Sequence, residues 1–460
     1  MNDNDKKTIA AIATPGGSGG VGIIRISGYN AREAAQKIVM DDLKKLEPRR
    51  ATLCKFTTAQ EKQFLDRGLI IYFPEPNSYT GEDVIELNCH GSPLLLDTLL
   101  SDILTANNVR LAEPGEFTRR AFLNHKLDLA QADAVAGIIS ARSRAALKSE
   151  ARQLNGELSC LISQLRETLV FCRSRIEATL DFDEHDETGE LPKRKLIEKL
   201  DNVLDEIQEL IRQGQTGQLL ADGCHTAIVG KPNVGKSSLF NSLLTRQKAI
   251  VTAQPGTTRD ILSDQLLIDG IPFLLHDTAG IRTSDNLAEK MGVERSEKAI
   301  AESSLVIFLL DQSRPLNEQD DYIYQLINKH DFLVVINKLD LEANFTEKEL
   351  KKRYGKKPDL RVSAETGEGL RKLKKIMLQK VRKNQLHTES PLVTRKRHLN
   401  LLENAAAAIR TAIQGLKTRR DSVLIAEDLR DASEATARIT GEITTDDLLD
   451  EIFANFCIGK

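Results

Sequence analysis

GKPNVGKSS, at residues 230–238, matches G-x-x-x-x-G-K-[ST], the pattern of a phosphate-binding loop. The apolar run Thr226–Val229 precedes it, and the run Leu239–Leu244 follows it. This order predicts a strand, a glycine-rich loop and a helix N-terminus, where successive backbone N–H groups bind anions. In such a loop the ammonium group of Lys236 can reach the β- and γ-phosphates, and the hydroxyl group of Ser237 can ligate Mg²⁺.

Two motifs in the middle of the chain predict the rest of the phosphate side. Asp277-Thr-Ala-Gly280 follows the apolar run Ile271–Leu275. Its aspartate can hold Mg²⁺ through water, and the N–H group of Gly280 can meet the γ-phosphate. Gly256-Thr-Thr-Arg-Asp260 lies between this motif and the phosphate-binding loop, and its Thr258 has the position of a switch threonine that responds to the γ-phosphate and Mg²⁺.

Two later motifs predict that the base is guanine. Asn337-Lys-Leu-Asp340 ends the apolar run Phe332–Ile336, and Ser363-Ala364 supplies the last loop on the base side. A carboxylate at such a strand end can accept two N–H bonds from guanine, and a site built this way rejects adenine because its polar groups would stay unpaired. We therefore expect residues 219–379 to form a GTP-binding domain with a doubly wound sheet and the ligand at the carboxyl ends of its strands.

The position after the Asp-x-x-Gly turn departs from the pattern of Ras-like enzymes. There a glutamine orients the attacking water, whereas this chain has Ile281, which cannot do so. Another group must position the water, or hydrolysis is very slow. Candidates lie in the polar stretch 282–290, although residue chemistry alone favours a solvated loop and helix start there over a mobile switch.

Composition limits the classes of protein that the chain can represent. With 460 residues, of which 40% are apolar, we expect about three packed domains. No run approaches the roughly 20 apolar residues of a membrane helix, and the first residues lack the apolar segment of a signal peptide. Six scattered cysteines without Cys-x-x-Cys spacing favour a reducing compartment, the cytoplasm, over a disulfide framework or zinc site. Because the net charge is −3, any RNA contact must be local or must rely on a partner protein.

Residues 1–120 are predicted to form an α+β domain. Four apolar runs predict strands: Ile9–Ala13, Val21–Ile26, Leu69–Phe73 and Asp83–Leu87. The glycine-rich segment Pro15–Gly20 lacks the Gly-Lys-Ser ending of a phosphate site, so a tight hairpin turn is the better interpretation. Cys89-His90 follows the last run, where a core or turn position is favoured over a catalytic pair.

Residues 121–218 and 380–460 are predicted to form one helical domain into which the GTP-binding domain is inserted. Insertion needs ends that lie close together, which doubly wound domains can provide. Three apolar faces have the spacing of a helix. They comprise Leu158, Leu161, Leu165, Leu169, Cys172, Ile176 and Leu180; then Leu196, Leu200, Val203, Ile207 and Leu210; then Leu399, Leu402, Ala406, Ile409, Ile413 and Leu416. Cys160 and Cys172 are expected to be small packing residues, and the acidic connector 181–190 a solvated loop.

The chain ends in Cys457-Ile-Gly-Lys460. The cysteine is four residues from the end, as in a prenylation box, but lysine is a poor last residue for that signal. Two other interpretations are a frayed tail and a mobile arm that delivers a thiol and an ammonium group to a site. In the latter case the preceding apolar residues would dock the arm; these are Leu448, Leu449, Ile452, Phe453 and Phe456.

The whole chain resembles the MnmE family, also called TrmE, the tRNA-modification GTPases of bacteria and organelles. The terminal tetrapeptide together with a GTP-binding domain is highly specific for this family. The segments that carry the resemblance are Thr8–Gly28, Tyr79–Asp83, Pro114–Asn124, Lys126–Ala132, the phosphate-binding loop, Gly256–Asp260 and Cys457–Lys460. Two positions depart from its usual pattern, namely His125, where members often carry Gly or Asp, and Pro255.

The resemblance implies that the N-terminal domain is similar to tetrahydrofolate-binding domains and makes the homodimer. It would bind 5-formyl- or 5,10-methylene-tetrahydrofolate, and Arg25, Glu82 and Lys126 match the expected contacts, with Lys460 nearby. Such cations can pair with the carboxylates of the folate tail. Cys457 matches the cysteine that the family uses in the modification chemistry, and a thiol nucleophile needs a lowered pKa.

The resemblance also implies that GTP-binding domains dimerise around K⁺ when GTP binds. Its ligands would be Asn233, Thr252, Gln254 and Thr257, and K⁺ would take the task that an arginine finger performs elsewhere. Glu289 matches a water-orienting glutamate, which overturns the solvated-loop interpretation and accounts for Ile281. Mg²⁺ would be held by Ser237 and Thr258. The full expected GTP-binding set is Asn233, Val234, Gly235, Lys236, Ser237, Ser238, Thr252, Thr257, Thr258, Asp277, Thr278, Ala279, Gly280, Asn337, Lys338, Asp340, Ser363 and Ala364.

The implied function is a GTP hydrolase that works on tRNA in a heterotetramer with the FAD protein MnmG. Together they would add an aminomethyl or carboxymethylaminomethyl group at C5 of the wobble uridine, with the one-carbon unit from the folate. We favour this enzyme component over a switch that recruits partners, as in ribosome-assembly GTPases, and over a folate-dependent methyltransferase with an appended GTPase. The folate-like first domain and the Cys457 tail are features that a pure assembly factor does not need.

Overall fold

The computed structural model describes residues 7–181, 193–244, 264–277, 300–301, 303–381, 390–454 and 456–460. The acidic connector after Asp181 lies outside these residues. Within them the chain forms two six-stranded sheets and a set of long helices. None of the helices described is both long and apolar enough to cross a membrane.

The first sheet has the strand order β3-β4-β5-β2-β1-β6. Its strands are β1 (Thr8–Ile12), β2 (Gly19–Ser27), β3 (Thr52–Thr57), β4 (Phe64–Phe73), β5 (Val84–Gly91) and β6 (Val109–Leu111), and its helices are α1 (Ala31–Gln36) and α2 (Pro93–Ile103). The α+β prediction is confirmed. The segment Pro15–Gly20 lies between paired residues of β1 and its antiparallel neighbour β2, but their pairing ends at Ile12 with Ile24, so the connection is longer than the expected tight hairpin turn. Gly19 and Gly20 already belong to β2. Cys89 and His90, expected after a strand, lie within β5 instead, with Cys89 buried and His90 exposed.

The long helices in the helical part of the chain pack around one large apolar core. Its helices are α3 (Glu116–Leu123), α4 (Leu129–Ser140), α5 (Arg144–Leu154), α6 (Glu157–Asp181), α7 (Lys193–Asp222), α12 (Lys396–Thr418), α13 (Ser422–Thr440) and α14 (Asp446–Ala454). Apart from Leu180, whose side chain lies outside the described ones, the three predicted apolar faces meet in this core, in which Leu165, Leu200 and Leu402 are buried. Cys172 is buried there as expected, but Cys160 is exposed on the same helix, so its interpretation as a packing residue is wrong.

The second sheet has the order β12-β11-β10-β7-β9-β8, and all neighbouring pairs except β8 with β9 are parallel. Its strands are β7 (Cys224–Val229), β8 (Asp264–Ile268), β9 (Ile271–Asp277), β10 (Leu305–Asp311), β11 (Phe332–Asn337) and β12 (Leu360–Arg361). Its helices are α8 (Lys236–Leu244), α9 (Glu318–Ile327), α10 (Glu347–Tyr354) and α11 (Leu370–Val381). Helices α8 and α11 pack into one core and α9 and α10 into another, so the sheet is covered on both faces and the doubly wound prediction is confirmed.

The two ends of this inserted domain meet beside α7. A Cβ atom on Gly217 would overlap the carbonyl oxygen of Val393, and one on Gly214 would overlap the side chain of Leu399. The chain therefore enters the second sheet along α7 and leaves it through the segment that touches α7, as insertion requires. The expected boundaries at 120, 218 and 379 fall within α3, α7 and α11.

Candidate functional site

The phosphate-binding loop joins the end of β7 to the start of α8. Gly235 has φ +96°, a backbone conformation that L side chains rarely adopt, and a Cβ atom there would overlap the side-chain amide of Asn337. Asn233 also has a left-handed φ, +64°. These two residues turn the loop back toward the helix N-terminus, where N–H groups converge on an anion.

The side chain of Lys236 folds back onto the phosphate-binding loop. Its ammonium group donates to the carbonyl oxygens of Gly230 at 2.7 Å and Lys231 at 3.0 Å. Ser237 and Ser238 are exposed in the first turn of α8, and Asn233 is exposed at the tip of the loop. The ammonium and hydroxyl groups that phosphate and Mg²⁺ require are thus at one end of the helix.

A buried ion pair anchors the other side of the loop. The Lys231 ammonium group lies 2.7 Å from the carboxylate of Asp320 on α9 and donates to the carbonyl oxygen of Pro315 at 3.1 Å. Both side chains of the pair are almost fully buried. The loop motif treats position 231 as any residue, and its partner lies 89 positions away, so no local signal in the sequence could have identified this anchor.

Asn337 connects the phosphate loop to the base-side loops. Its side-chain amide donates to the carbonyl oxygen of Val234 at 2.8 Å and accepts from the backbone N–H of Ala364 at 3.0 Å. The side chain is 1% exposed. The first residue of the guanine motif therefore holds two loops together, and its polar groups are satisfied within the protein.

The other base-side residues cluster around the ends of β10 and β11. Lys338, at φ +66°, forms an ion pair with Asp311 at 2.7 Å, and Asp340 accepts from the Ser363 hydroxyl at 2.5 Å. Burial would raise the pKa of Asp311, but hydrogen bonds from Lys338 and Ser313 hold that pKa below its ordinary value. Asp311 was not in the predicted set, although an aspartate that ends a strand at this edge was a usable signal.

The remaining predicted nucleotide residues are only partly described. Asp277 ends β9, directly beside Ile228 of β7, which places its backbone at the same edge as the loop. Several expected residues lie outside the described ones, namely Thr252, Gln254, Pro255, Thr257, Thr258, Thr278, Ala279, Gly280, Ile281 and Glu289.

A second cluster forms where the end of the chain meets the first sheet. Arg25 on β2 pairs with Glu86 on β5 at 2.9 Å and donates to the carbonyl oxygen of Gly459 at 3.2 Å. Its guanidinium group lies 5.6 Å from the ring centres of both Tyr79 and Phe117. Arg25 is thus in direct contact with the C-terminal tail, although it lies 434 positions from Gly459 in sequence.

The tail itself is docked. Gly459 has φ +94°, and a Cβ atom there would overlap the carbonyl oxygen of Ile12 and come within 2.8 Å of the Cα atom of Ala13. Burial, and then the positive charge of Arg25, lowers the pKa of Lys460. Cys457 is exposed. The frayed-tail interpretation is wrong for these residues.

The expected docking helix is confirmed as α14. Leu449, Phe453 and Phe456 are buried in a small apolar cluster with Leu129 of α4. The backbone N–H of Gly115 donates to the carbonyl oxygen of Cys457 at 3.4 Å. This cluster fixes the start of the tail next to the N-terminal end of α3.

Glu82 follows Gly81, which lies beside Lys126, but among the described residues neither Glu82 nor Lys126 has a hydrogen bond or ion pair with the tail. Glu82 accepts from the Ser27 hydroxyl at 2.7 Å and from Arg120 at 3.1 Å. Lys126 is exposed beside Gly81. The preceding His125 has φ +55°, so this departure from the family pattern occupies a left-handed position that Gly adopts more easily. Arg120, which lies in a matched segment, was missed as the partner of Glu82.

The loops at the ends of β7, β10, β11 and β12 define a Ras-like P-loop GTPase domain inserted into a helical domain. Comparisons with known proteins identify the family to which the whole chain belongs. Family models described as "GTP-binding protein TrmE N-terminus" and "MnmE helical domain" match residues 8–126 and 129–457. The chain therefore belongs to the MnmE (TrmE) family.

Two relatives support this membership over the full length. A protein of Dichelobacter nodosus named tRNA modification GTPase MnmE is 46% identical, with 99% of each chain covered. One of the same name from Aquifex aeolicus is 43% identical over 99% of this chain and 100% of its own. Among solved structures, the FeoB G-domain from Methanococcus jannaschii is 21% identical, has a TM-score of 0.27 and covers 35% of this chain and 98% of its own. The prediction of a GTPase that acts in tRNA modification is confirmed by the family.

Proposed function

We propose that this GTPase acts with the FAD protein MnmG to add an aminomethyl or carboxymethylaminomethyl group at C5 of the wobble uridine of tRNA. The observation that carries the proposal is the contact between the C-terminal tail and Arg25, which brings Cys457 and Lys460 to the N-terminal domain. A GTPase that only recruits partners has no need of a cysteine-containing tail docked in this way. GTP hydrolysis in the inserted domain would drive the conformational change.

The N-terminal cluster fits 5-formyl- or 5,10-methylene-tetrahydrofolate. Arg25 and Lys460 supply cationic groups for its carboxylates, and the rings of Tyr79 and Phe117 lie beside the arginine. A bound folate would supply the one-carbon unit of the new substituent. In this proposal Glu82, with Arg120, and Lys126 complete the contacts, and the exposed thiol of Cys457 takes part in the modification chemistry.

The phosphate-binding loop fits a site for Mg²⁺ and K⁺. The Ser237 hydroxyl, with Thr258, would hold Mg²⁺, and the exposed side chain of Asn233 would ligate K⁺. We assign the remaining K⁺ ligands to Thr252, Gln254 and Thr257, and the orientation of water to Glu289. K⁺ would stabilise the charge that develops on the phosphates, since the chain has no glutamine after its Asp-x-x-Gly turn.

The proposed assembly follows from the division of the chain. Residues 1–120 would bind folate and make the homodimer, 121–218 and 380–460 would form the helical domain, and 219–379 the GTP-binding domain. GTP-binding domains would pair on binding GTP and K⁺. All six cysteines are free thiols, which supports a reducing compartment, the cytoplasm.

GTP turnover in matched KCl and NaCl buffers tests the nucleotide part of this proposal. Wild-type protein should turn over GTP much faster in KCl and associate further in the presence of a transition-state analogue. Asn233→Ala should abolish the stimulation by K⁺ and leave GTP affinity nearly intact. Equal wild-type rates in both salts would remove the K⁺ site and favour a partner-activated switch.

A further inference from the structure

Positive charge is concentrated in one stretch of this nearly neutral chain. Residues 347–381 contain twelve lysines and arginines against five aspartates and glutamates, a formal charge of +7, whereas the whole chain carries −3. This excess belongs to none of the nucleotide motifs. Because the whole chain has no positive excess, an RNA contact needs a local basic stretch such as this one.

The structure gathers much of this charge at the outer edge of the second sheet. Strand β12 is the edge strand, and the ends of α10 and α11 lie on either side of it. Between them lies an open groove of about 820 Å³, whose lining includes the cations Arg361, Arg371 and Lys372 and the carboxylates Glu347, Asp359 and Glu368. Lys356 and Lys357 immediately precede Pro358 and are exposed. We call these five cations the basic edge: Lys356, Lys357, Arg361, Arg371 and Lys372.

Internal ion pairs account for only part of the charge. In this stretch Arg353 pairs with Asp321, Arg361 with Glu347 and Lys380 with Asp331. Lys356 lies over the ring of Phe332 at 3.6 Å. In the described part of the chain Lys357, Arg371 and Lys372 have no carboxylate partner within ion-pair distance, and all three are exposed. Their charge therefore remains available to an external anion.

The position of two of these cations does not stabilise the fold. Arg371 and Lys372 stand in the first turn of α11, which has no acidic residue there. Cations at a helix N-terminus are unfavourable, because its N–H groups already carry partial positive charge. Helix α10 is closer to the favourable arrangement, with Glu347 and Glu349 beside Lys348 in its first turn, and Lys351, Lys352 and Arg353 in its last. An anion in the groove would offset the unfavourable charge on α11.

We propose that the basic edge binds the phosphate backbone of tRNA. The inference rests on the proposed function, since it takes its RNA from the reaction of the family. Lysine and arginine contacts to phosphates position a nucleic acid without reading its sequence. The groove also includes Gly367 and Glu368, which are hydrogen-bonded to Ser363 of the base-side loop. Bound RNA would therefore lie against the loop that contacts guanine.

A charge-reversal variant tests the basic edge. Lys357→Glu, Arg371→Glu and Lys372→Glu are combined, and binding of labelled tRNA by the full chain is measured between 50 and 300 mM KCl at constant Mg²⁺. We expect tRNA affinity to fall by about tenfold or more, and the slope of log K against log salt to become shallower by about 2 to 3 units, since each lost phosphate contact removes about 0.7 to 0.9. Because glutamate is favourable at a helix N-terminus, α11 should remain folded, and GTP turnover without tRNA should stay within about twofold.

The matched control reverses three exposed lysines elsewhere, Lys44, Lys148 and Lys329. This variant has the same net charge, so its tRNA affinity should stay close to that of the wild type if the basic edge is the contact. Equal weakening in both variants would reduce the effect to net charge and overturn the proposal. The proposal would also be overturned if the wild-type protein did not bind tRNA. It would fail too if the charge-reversal variant lost association with MnmG while its tRNA affinity stayed unchanged, because the basic edge would then bind a protein.

One further variant separates this inference from the proposed function. Cys457→Ser should bind tRNA as tightly as the wild type but fail to support modification. If Cys457→Ser supports normal modification while the basic edge still governs tRNA affinity, the proposed role of the tail fails and the binding surface stands.

Discussion

The nucleotide edge of the inserted domain and the tail site of the N-terminal domain are built in different ways. The nucleotide edge collects loops from successive parallel strands of one sheet, which end at the same side. The tail site joins Arg25 to Gly459, 434 positions away. The first can therefore form as soon as its own domain folds, whereas the second exists only when both ends of the chain have docked.

The two sites also differ in how firmly they are held. Asn337 and the buried pair of Lys231 with Asp320 brace the nucleotide loops from within the protein. The tail rests on the small apolar cluster around Phe453, one hydrogen bond from Arg25 and a glycine packed against Ile12. We expect substitutions that displace the nucleotide loops to weaken GTP binding strongly, and substitutions at the tail to undock it while the domains stay folded.

The largest effect is expected for Gly235→Ala. The new Cβ would overlap the side-chain amide of Asn337 at a backbone position with φ +96°, so the loop and its brace cannot both keep their positions. GTP affinity, measured by titration with a fluorescent analogue, should fall by about 100-fold or more, in line with more than about 2.7 kcal/mol of lost binding.

Gly270→Ala is the matched control for the loop. It also has a left-handed φ, +83°, but a Cβ atom there meets nothing within 4 Å. It should carry only the conformational cost of a left-handed alanine, about 1 to 2 kcal/mol of stability, with GTP affinity unchanged. If both variants bind GTP like the wild type, the brace between Asn337 and the loop is not needed for nucleotide binding.

The same contrast explains what the sequence could predict. Phosphate and base motifs are local, and each is tied to a strand end, so the nucleotide edge could be located from short patterns. The contacts of Lys231 with Asp320 and of Arg120 with Glu82 could not be predicted, because the partners are far apart in sequence and acidic residues are common. Apolar periodicity located the helical core but could not show that Cys160 would face solvent.

A smaller effect is expected for Gly459→Ala, which tests the tail. The substitution places a Cβ against the backbone of Ile12 and Ala13, so the last residues should leave Arg25. We expect tRNA modification by the reconstituted system to fall about tenfold, whereas GTP turnover stays within about twofold, since the nucleotide edge is separate.

Gly16→Ala serves as the control on the same domain, because a Cβ atom there meets nothing within 4 Å and the backbone has no left-handed φ. Its modification activity should equal that of the wild type. A Gly459→Ala protein with full modification activity would show that a docked tail is unnecessary, and the two sites would no longer differ in the way described.

The smallest effect is expected for Asp311→Asn, which removes the buried partner of Lys338 without adding bulk. Asparagine keeps one oxygen for Ser313 but loses the charge that the Lys338 ammonium group faces at 2.7 Å. GDP affinity should fall by about threefold to tenfold, the size of one charge-assisted hydrogen bond lost beside a binding site. Arg314→Ala removes the more distant and exposed partner of the same carboxylate, at 3.8 Å, and should leave affinity unchanged.

The pKa of Asp311 adds a second condition to this test. Because that pKa is held below its ordinary value of about 3.9, the carboxylate remains ionised throughout the range from about pH 6 to 8. The charge that stabilises Lys338 would be lost only in more acidic solution, as the pH falls through the lowered pKa. The ratio of wild-type to Asp311→Asn affinity should therefore be constant across that range. A ratio that changes between these pH values would mean that another titrating group, and not the ion pair, positions the base-side loop.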